Sequence, residues 1–293
     1  MKNFLSRIVS LATGGESGTT GDLSWHLADG VLTIKGTGVM PNYSSNGSPW
    51  CPFRKSITSV VIGDGVTNIG NRAFFKCHDL TSVSIPDSVT AIGNSTFSAC
   101  EGLTSVTIPH LLTTIGYGAF YDCPGLTSID IPDSVTIIGD GAFSFCHGLT
   151  SITVPDSITA IRNKVFLACH GLTSVTIPRS VIAICGSAFS DCRELTSVVI
   201  PDSVTTIRSA AFARCRQLTS VSIPESATIF GNYVFSHCRA LTEIINHATT
   251  PQTVDANIFT DVDKASCMLR VPAASVAAYQ SAEVWNEFQI SGF

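Results

Sequence analysis

Hydrophobic positions recur at a fixed interval of 23 residues through most of this chain. In one unit, Leu103, Val106 and Ile108 follow the pattern L-x-x-L-x-L, with Ser105 and Thr107 between the apolar positions. This alternation predicts a short strand with one buried face and one face in water. A proline ends each such strand, because it has no N–H to donate to a sheet, and a second β-branched pair follows.

A phenylalanine and a cysteine three residues apart complete each unit, as in the segment 141–146, GAFSFC. This segment is too short for more than a turn or two of helix, and the spacing places both side chains on one face. The phenylalanines are Phe74, Phe97, Phe120, Phe143, Phe166, Phe189, Phe212 and Phe235, and the cysteines are Cys77, Cys100, Cys123, Cys146, Cys169, Cys192, Cys215 and Cys238. A period in this range is typical of a solenoid, whose stacked units bury one continuous core.

The repeat predicts an α/β repeat solenoid, right-handed and curved, with a parallel β-sheet on its concave face and short helical turns elsewhere. Eight full units and a partial ninth occupy residues 57–245. We expect an amphipathic helix and a Gly-rich linker over residues 1–20, a β cap over residues 21–56, and a C-terminal cap over residues 246–293. Caps are expected because the terminal units of a solenoid must cover its core.

The N-terminal flank predicts a β-hairpin. Alternating apolar residues surround Asp29-Gly30, which is a strong signal for a two-residue hairpin turn. Trp50 and Phe53 are placed to close the open end of the core. Apolar residues at helical spacing within residues 1–12 predict the amphipathic helix, and the glycines of residues 14–21 predict the linker. The alternative is the remnant of a secretion signal.

The C-terminal flank predicts a last strand over residues 268–272 and then a capping helix. The helix is predicted over residues 273–288, because Val276, Tyr279 and Trp285 lie at helical spacing.

A glycine column precedes the Phe-Cys segment and has three exceptions. The glycines are Gly70, Gly93, Gly116, Gly139 and Gly231, and the exceptions are Arg162, Cys185 and Arg208. Because residues with a side chain avoid positive φ, these exceptions indicate that the position does not require it.

Composition narrows the class of function. Hydrophobic residues make up 44% of the chain, charged residues only 13%, and the net charge is -5. This charge argues against a nucleic-acid partner. The sequence has no run of about 18 apolar residues, so no transmembrane helix is predicted and membrane contact is expected only through an anchor.

The repeat unit LTSVTIP-D-SVT-IG--AF--C resembles the BspA-like, or Treponema pallidum type, subclass of leucine-rich repeats. Residues 29–43, DGVLTIKGTGVMPNY, and residues 271–288, VPAASVAAYQSAEVWNEF, resemble the caps of bacterial members. The resemblance covers residues 21–293. It implies adhesion or other protein binding rather than catalysis, by a surface or secreted protein of a host-associated bacterium.

The cysteines suggest a disulfide ladder or a metal array as functional hypotheses. Their number, 11, is odd, no C-x-x-C pair occurs, and Cys185 and Cys192 are not at a zinc spacing. Stacked strands also lie about 4.8 Å apart, whereas a disulfide needs Cβ atoms about 3.8 Å apart. We therefore expect buried free thiols that act as small apolar residues, with no metal and no cofactor. No constellation of nucleophile, base and acid is evident, so no catalytic residue is predicted.

The exposed face of the predicted sheet is the candidate ligand-binding surface, because solenoids commonly bind on that face. The candidate residues are Ser105, Thr107, Ser128, Asp130, Ser151, Thr153, Ser174 and Thr176. The alternative is a solvated ladder of hydroxyls, since the face lacks the aromatic and arginine side chains that dominate binding hot spots.

A basic edge is the second candidate. The residues that follow the cysteines become Arg193, Arg216 and Arg239 in the last units, while the residues that follow the prolines are mostly acidic. The functional hypothesis is an acidic protein or glycan held by these arginines. The alternative is a row of solvated charges.

These observations favour a non-enzymatic binding scaffold at the cell surface or outside the cell, with a protein or glycan ligand. The alternative is a structural spacer or fibre component that the N-terminal helix attaches to a larger assembly.

Overall fold

The computed structural model describes residues 15–293, so the helix predicted for residues 1–12 lies outside the described residues. The chain divides into two compact units, Met1–Cys146 and His147–Phe293, which we call the N-terminal and C-terminal units. In each unit, short parallel strands stack at intervals of one repeat, which confirms the solenoid prediction. We call one 23-residue circuit of the chain a coil.

Two sheets run through the described part of the N-terminal unit. Its strands are β1 (Glu16–Thr20), β2 (Leu23–Ala28), β3 (Val31–Gly36), β4 (Gly38–Val39), β5 (Ser59–Ile62), β6 (Val66–Ile69), β7 (Ser82–Ser84), β8 (Ala91–Ile92), β9 (Thr114–Ile115) and β10 (Ile137–Ile138). One sheet has the order β1-β2-β3-β5-β7 and the other β10-β9-β8-β6-β4. The first contains strands of the L-x-x-L-x-L pattern, and the second contains the β-branched pairs that follow the prolines.

Three sheets form the C-terminal unit. Its strands are β11 (Ser151–Thr153), β12 (Ala160–Ile161), β13 (Ser174–Thr176), β14 (Ala183–Ile184), β15 (Ser197–Val199), β16 (Thr206–Ile207), β17 (Ser220–Ile223), β18 (Ile229–Phe230), β19 (Glu243–Asn246), β20 (Met268–Val271) and β21 (Gln289–Gly292). The sheet orders are β11-β13, β12-β14-β16-β18 and β15-β17-β19-β20-β21.

The predicted hairpin is confirmed, but the predicted linker is wrong. β2 and β3 pair antiparallel, and Asp29 and Gly30 form the turn with positive φ of 49° and 79°. The Gly-rich stretch forms β1 rather than a flexible linker and pairs with β2 along its whole length. Glycine suits this strand because a Cβ on Gly18 would lie 2.9 Å from the Trp25 ring.

The C-terminal cap contains less helix than predicted. The helix α1 covers only Val276–Ser281, with short 3-10 turns at Ala273–Ser275 and Trp285–Glu287. Extended backbone at Ala282 ends α1, and Val284 has a φ of 70°. β20 is also not the last strand, because the chain returns as β21 and pairs parallel with it.

Stacked phenylalanine rings form the centre of both units. In the N-terminal unit, Phe97 lies between Phe74 and Phe120 with ring centroids 5.3 Å apart on both sides. In the C-terminal unit, Phe189 lies between Phe166 at 5.4 Å and Phe212 at 5.3 Å. All of these rings are fully buried, as predicted.

An aromatic residue continues the ring column of each unit, Trp50 in the N-terminal unit and Phe259 in the C-terminal unit. Trp50 stacks on Phe74 at 5.7 Å and donates its indole N–H to the Ala73 carbonyl. This contact confirms the prediction for Trp50, whereas Phe53 is only half-buried. In the C-terminal unit, Phe259 extends the column beyond the last full repeat, and Trp285 meets it edge-on.

The periodic cysteines are buried, as predicted. They are more than small apolar residues, however, because their thiols donate hydrogen bonds between coils. The Cys192 thiol lies 3.2 Å from the Phe166 carbonyl oxygen, which also accepts the Cys169 N–H. The same thiol contact occurs at Cys100, Cys123, Cys146, Cys215 and Cys238. Burial raises the pKa of Cys123 to about 12, so this side chain is held as a thiol.

Hydrogen-bonded turns replace the predicted helical turns between the glycine column and each cysteine. The N–H groups of Phe74 and Lys76 donate to carbonyls of the next coil at 2.9 Å, so they are not available for a helix. Two positions of these segments take positive φ in coil after coil, as at Ser95 and Ala99.

The glycine column itself has no positive φ, as predicted from its three exceptions. Glycine is favoured there by close approach: a Cβ on Gly116 would lie 2.6 Å from the Gly93 carbonyl carbon of the preceding coil. Positive φ occurs two residues later, at residues such as Arg72 and Ala210.

Candidate ligand-binding surface

The sequence-predicted hydroxyl residues lie on the exposed face of the L-x-x-L-x-L strands, which we call the strand face. In the N-terminal unit, Ser105, Thr107, Ser128 and Asp130 are exposed, and Thr107 and Asp130 are parallel partners. In the C-terminal unit, Ser151, Thr153, Ser174 and Thr176 are exposed along β11 and β13. They pair as Ser151 with Ser174 and Thr153 with Thr176.

Some hydroxyls next to the strand face already serve the fold. The Thr173 hydroxyl donates to the Thr150 carbonyl at 3.1 Å, and the Thr219 hydroxyl donates to the Thr196 carbonyl at 3.1 Å. These threonines precede the strand-face column and tie each coil to the one before. Part of the hydroxyl enrichment of the repeat is therefore structural.

An open groove lies on the strand face of the C-terminal unit and is the candidate site. Its volume is about 1010 Å³. Thr176, Val199 and Ser222 line its floor side by side, since β15 and β17 pair Val199 with Ser222. Of the eight sequence-predicted strand-face residues, Thr176 is the one that lines this groove. Val199 is 71% exposed, an unusual position for a large apolar side chain.

Charged residues of the post-proline column form one rim of the groove. They are Arg179, Asp202 and Glu225. Glu225 accepts a hydrogen bond from the Thr249 hydroxyl at 2.8 Å. Arg179 and Asp202 belong to adjacent coils but lie beyond ion-pair distance, and neither forms an ion pair with another described residue. Both remain available to a ligand.

His247 closes one end of the groove. It occupies the position of the prolines in earlier coils, and a ring nitrogen lies 3.1 Å from the Ser222 hydroxyl. The exposed Phe293 ring meets it edge-on at 5.5 Å. Sequence reasoning missed His247, because the repeat pattern is lost in that segment. The exposed Val199 in the Ser/Thr column was the signal that could have located the groove.

The groove combines donors, acceptors and one apolar contact on an open floor. Arg179 donates, Asp202 and Glu225 accept, and Ser222 and His247 do both. Such a mixture suits polar recognition across several coils. No pair of side chains in the groove has the arrangement of an activated nucleophile and its base.

The predicted basic edge is largely neutralised by carboxylates of the chain itself, which corrects the sequence-based expectation. Arg193 makes two hydrogen bonds to Asp191, at 3.1 and 2.9 Å, and Arg239 lies 3.0 Å from Asp261. Arg216 is exposed and forms no ion pair with a described residue. The three arginines therefore do not form one uncompensated stripe. Sequence reasoning missed the two aspartates, since Asp191 precedes its cysteine and Asp261 lies outside the repeats.

Histidines of the same edge join these pairs. His170 Nε2 lies 3.1 Å from Asp191 Oδ2, and His237 Nδ1 lies 2.8 Å from Asp261 Oδ2. Partial burial acts to raise the pKa of Asp191, but hydrogen bonds from Arg193 and His170 outweigh it and hold that pKa below its usual value. Burial lowers the pKa of His170 despite its bond to Asp191.

Two other features are absent from the part of the chain that the structure describes, residues 15–293. No group of three or more histidine, cysteine, aspartate or glutamate side chains there could hold a metal ion. No helix within residues 15–293 is long and apolar enough to cross a membrane.

Comparisons with known proteins agree with the repeat architecture. The family model described as "BspA type Leucine rich repeat region" matches residues 53–173 and 159–268, in 6 copies. No curated protein matches the chain.

Solved structures of similar fold include bacterial leucine-rich repeat proteins. One from Eubacterium ventriosum is 25% identical with a TM-score of 0.57, over 93% of this chain and 82% of that chain. One from Bacteroides ovatus is 22% identical with a TM-score of 0.58, over 94% and 82%. The pneumococcal vaccine antigen PcpA is 14% identical with a TM-score of 0.50, over 95% and 99%.

Proposed function

Because the chain belongs to the family of BspA-type leucine-rich repeats, we propose that it is a non-enzymatic scaffold that binds a protein or glycan ligand on its strand face. The observation that carries this proposal is the groove of the C-terminal unit, with Val199 exposed between Thr176 and Ser222. An exposed valine in a column of hydroxyls has no role in the packing of the unit. As part of a binding surface, it gives a ligand an apolar contact in the middle of polar ones.

The groove floor is rigid, which suits recognition. Its residues stand on β13, β15 and β17. The inward-facing residues of β15 and β17 are buried in the core, and Val175 of β13 is half-buried. A ligand therefore does not have to order flexible loops, a cost that reduces affinity elsewhere. Many weak contacts along adjacent coils, rather than one deep pocket, supply the binding energy.

The proposed location is the cell surface or the exterior of a host-associated bacterium. A pneumococcal vaccine antigen has a similar fold, and this supports the proposal. Ligands are then expected among host surface proteins and glycans.

The test is a binding screen of the full chain against host surface proteins and glycan arrays, repeated with Val199→Glu and Asp202→Lys. We expect each substitution to weaken capture of a genuine ligand at least tenfold, since both alter the groove without touching the core. The matched control, Arg216→Ser, changes an exposed residue on another edge and should leave capture within twofold. Ligands retained equally by all three variants would place binding elsewhere and refute the groove assignment.

A further inference from the structure

A second polar surface of the C-terminal unit lies where the glycine column is broken. β12, β14 and β16 pair in register, so the residues that follow them, Arg162, Cys185 and Arg208, lie side by side. The N–H of Cys185 donates to Ile161 and that of Arg208 to Ile184, both at 2.8 Å, which carries the register past the strands. Since neighbouring strands are about 4.8 Å apart, the two arginine backbones lie about 10 Å apart.

The middle of these three coils carries smaller side chains than the coils on either side of it. Arg162 and Arg208 are exposed, whereas Cys185, Gly186 and Ser187 between them are half-buried and small. Two long cationic side chains therefore flank a floor of small residues. We call Arg162, Cys185, Gly186, Ser187 and Arg208 the arginine notch.

The three coils of the arginine notch supply no carboxylate beside its two arginines. Residues 160–164, 183–187 and 206–210 contain no aspartate or glutamate. Neither notch arginine forms an ion pair within the described part of the chain. Arg193 and Arg239 show the opposite arrangement, because each is held by a carboxylate of the chain. In a protein with a net charge of -5, this is a local site for an anion.

We propose that the arginine notch binds an acidic polysaccharide, with one anionic group at each guanidinium and the intervening sugar over Cys185. A guanidinium presents a planar fork of donors that matches the oxygens of an acidic group. A polysaccharide with an anionic group on every second sugar repeats its charge over about the span of two coils. Ser187 and Ser209 provide hydroxyls beside the floor for the sugar hydroxyls. This site is on a different sheet from the groove and does not depend on the function proposed for it.

An acidic peptide fits the same surface less well. β14 and β16 are paired along both edges, so a peptide cannot bind there by adding a strand. In an extended peptide, side chains on one face recur about every 7 Å, which does not match the separation of about 10 Å between the arginine backbones.

The first test measures binding of a size-defined heparin oligosaccharide to the full chain by titration calorimetry. We expect the double variant Arg162→Gln/Arg208→Gln to weaken binding at least tenfold and to lower its salt dependence, because two fewer counterions are released. The matched control is Arg214→Gln/Arg216→Gln, which removes the same charge from exposed positions nearby and should change binding less than twofold. Equal weakening by both double variants would overturn the proposal, as would a polyglutamate peptide that binds as tightly as the oligosaccharide.

The second test changes the floor and leaves both arginines in place. Arginines already occupy the neighbouring positions of this column, so Cys185→Glu and Cys185→Gln are both expected to fold, with thermal melts as the check. The glutamate competes for the guanidiniums and should weaken heparin binding at least tenfold, while glutamine should weaken it less than threefold. Equal loss in the two variants contradicts the proposal.

Alkylation of the unmodified protein gives an independent measurement. Cys51 and Cys185 are its two half-buried thiols, one in each unit. Bound heparin should slow the modification of Cys185 by iodoacetamide at least fivefold and leave that of Cys51 unchanged. If heparin protects both thiols alike or neither, the sugar does not lie over the notch.

Discussion

The cysteine column and the column directly after it differ sharply, although each coil carries both. Every full repeat has the same residue at the first position, from Cys77 to Cys238. The second position changes from coil to coil, through His78, Glu101, Pro124, His147, His170, Arg193, Arg216 and Arg239. The first column is buried, and the residues of the second are half-buried or exposed.

This difference shows where a stacked fold constrains its sequence. A buried residue contacts equivalent residues in the coils on both sides, so a change in size or hydrogen bonding affects three coils at once. An exposed residue can change its rotamer and its hydration, and it can pair with a nearby charge, so many residue types are tolerated there. Stability therefore depends on the periodic positions, while the proposed recognition sites lie at positions that break the period, such as Val199 and Arg208.

The largest effect expected within the buried columns is that of Phe97→Ala. The ring is fully buried between Phe74 and Phe120, so its loss removes buried area and leaves a cavity between two coils. We expect a loss of about 3–5 kcal/mol in the free energy of unfolding, measured by denaturant titration. Phe75→Ala is the control, because Phe75 is half-buried outside the stack and should cost less than half as much. Equal costs would show that the ring column is not the centre of the core.

Substitutions of Cys192 should have a smaller effect on stability. They test whether the thiol acts as a hydrogen-bond donor or only as an apolar group. Cys192→Ala removes the thiol donor to Phe166 and should cost about 1–2 kcal/mol. Cys192→Ser keeps a donor at that place and should be about 1 kcal/mol less destabilising than alanine. If the column were only apolar packing, the buried hydroxyl would make serine the worse substitution. The order of the two melting temperatures decides between these accounts.

The fold was predictable from the sequence wherever one physical rule acts in every coil. The phenylalanine spacing and the alternation of the strands recur in every repeat, so each is signalled many times. The Asp29-Gly30 turn occurs once, but its sequence is a strong signal by itself. The capping helix was overpredicted because helical spacing alone does not reveal that Ala282 takes an extended conformation. The strand β1 was missed because a Gly-rich sequence is typical of a linker. Nothing in that sequence shows that Gly18 lies against the Trp25 ring.

The candidate sites were less predictable, because they depend on contacts that one repeat does not contain. Nothing in the residue types shows that Arg193 turns to Asp191 two positions earlier, or that Arg208 forms no ion pair within residues 15–293. The groove depends on Val199 and on His247, which takes a proline position where the repeat has ended. The exceptions in the glycine column can be identified from the sequence. That the two arginines lie on either side of Cys185 follows only from the register of the strands.

The smallest effect expected is the pH dependence of the exposed edge at His170. Four groups meet there: His170, His147 stacked on it with ring centroids 4.2 Å apart, Asp191 and Arg193. The folded-state pKa of His170 is lowered, so the unfolded chain binds its proton more readily. The contribution of this group to stability is therefore present above the unfolded pKa of about 6.5 and is lost as the pH falls through the lower folded value.

In His170→Gln, the free energy of unfolding should decline less below about pH 6.5 than in the unmodified protein. The difference should be less than about 1 kcal/mol, because the site is partly exposed. Asp191 has its own window: its lowered pKa stabilises the fold above about pH 3.9, and this contribution is lost at lower pH. Asp191→Asn should remove that second decline, measured by thermal melts in a pH series. Parallel curves for all three proteins would mean that the protonation of His170 and Asp191 does not affect the stability of the fold.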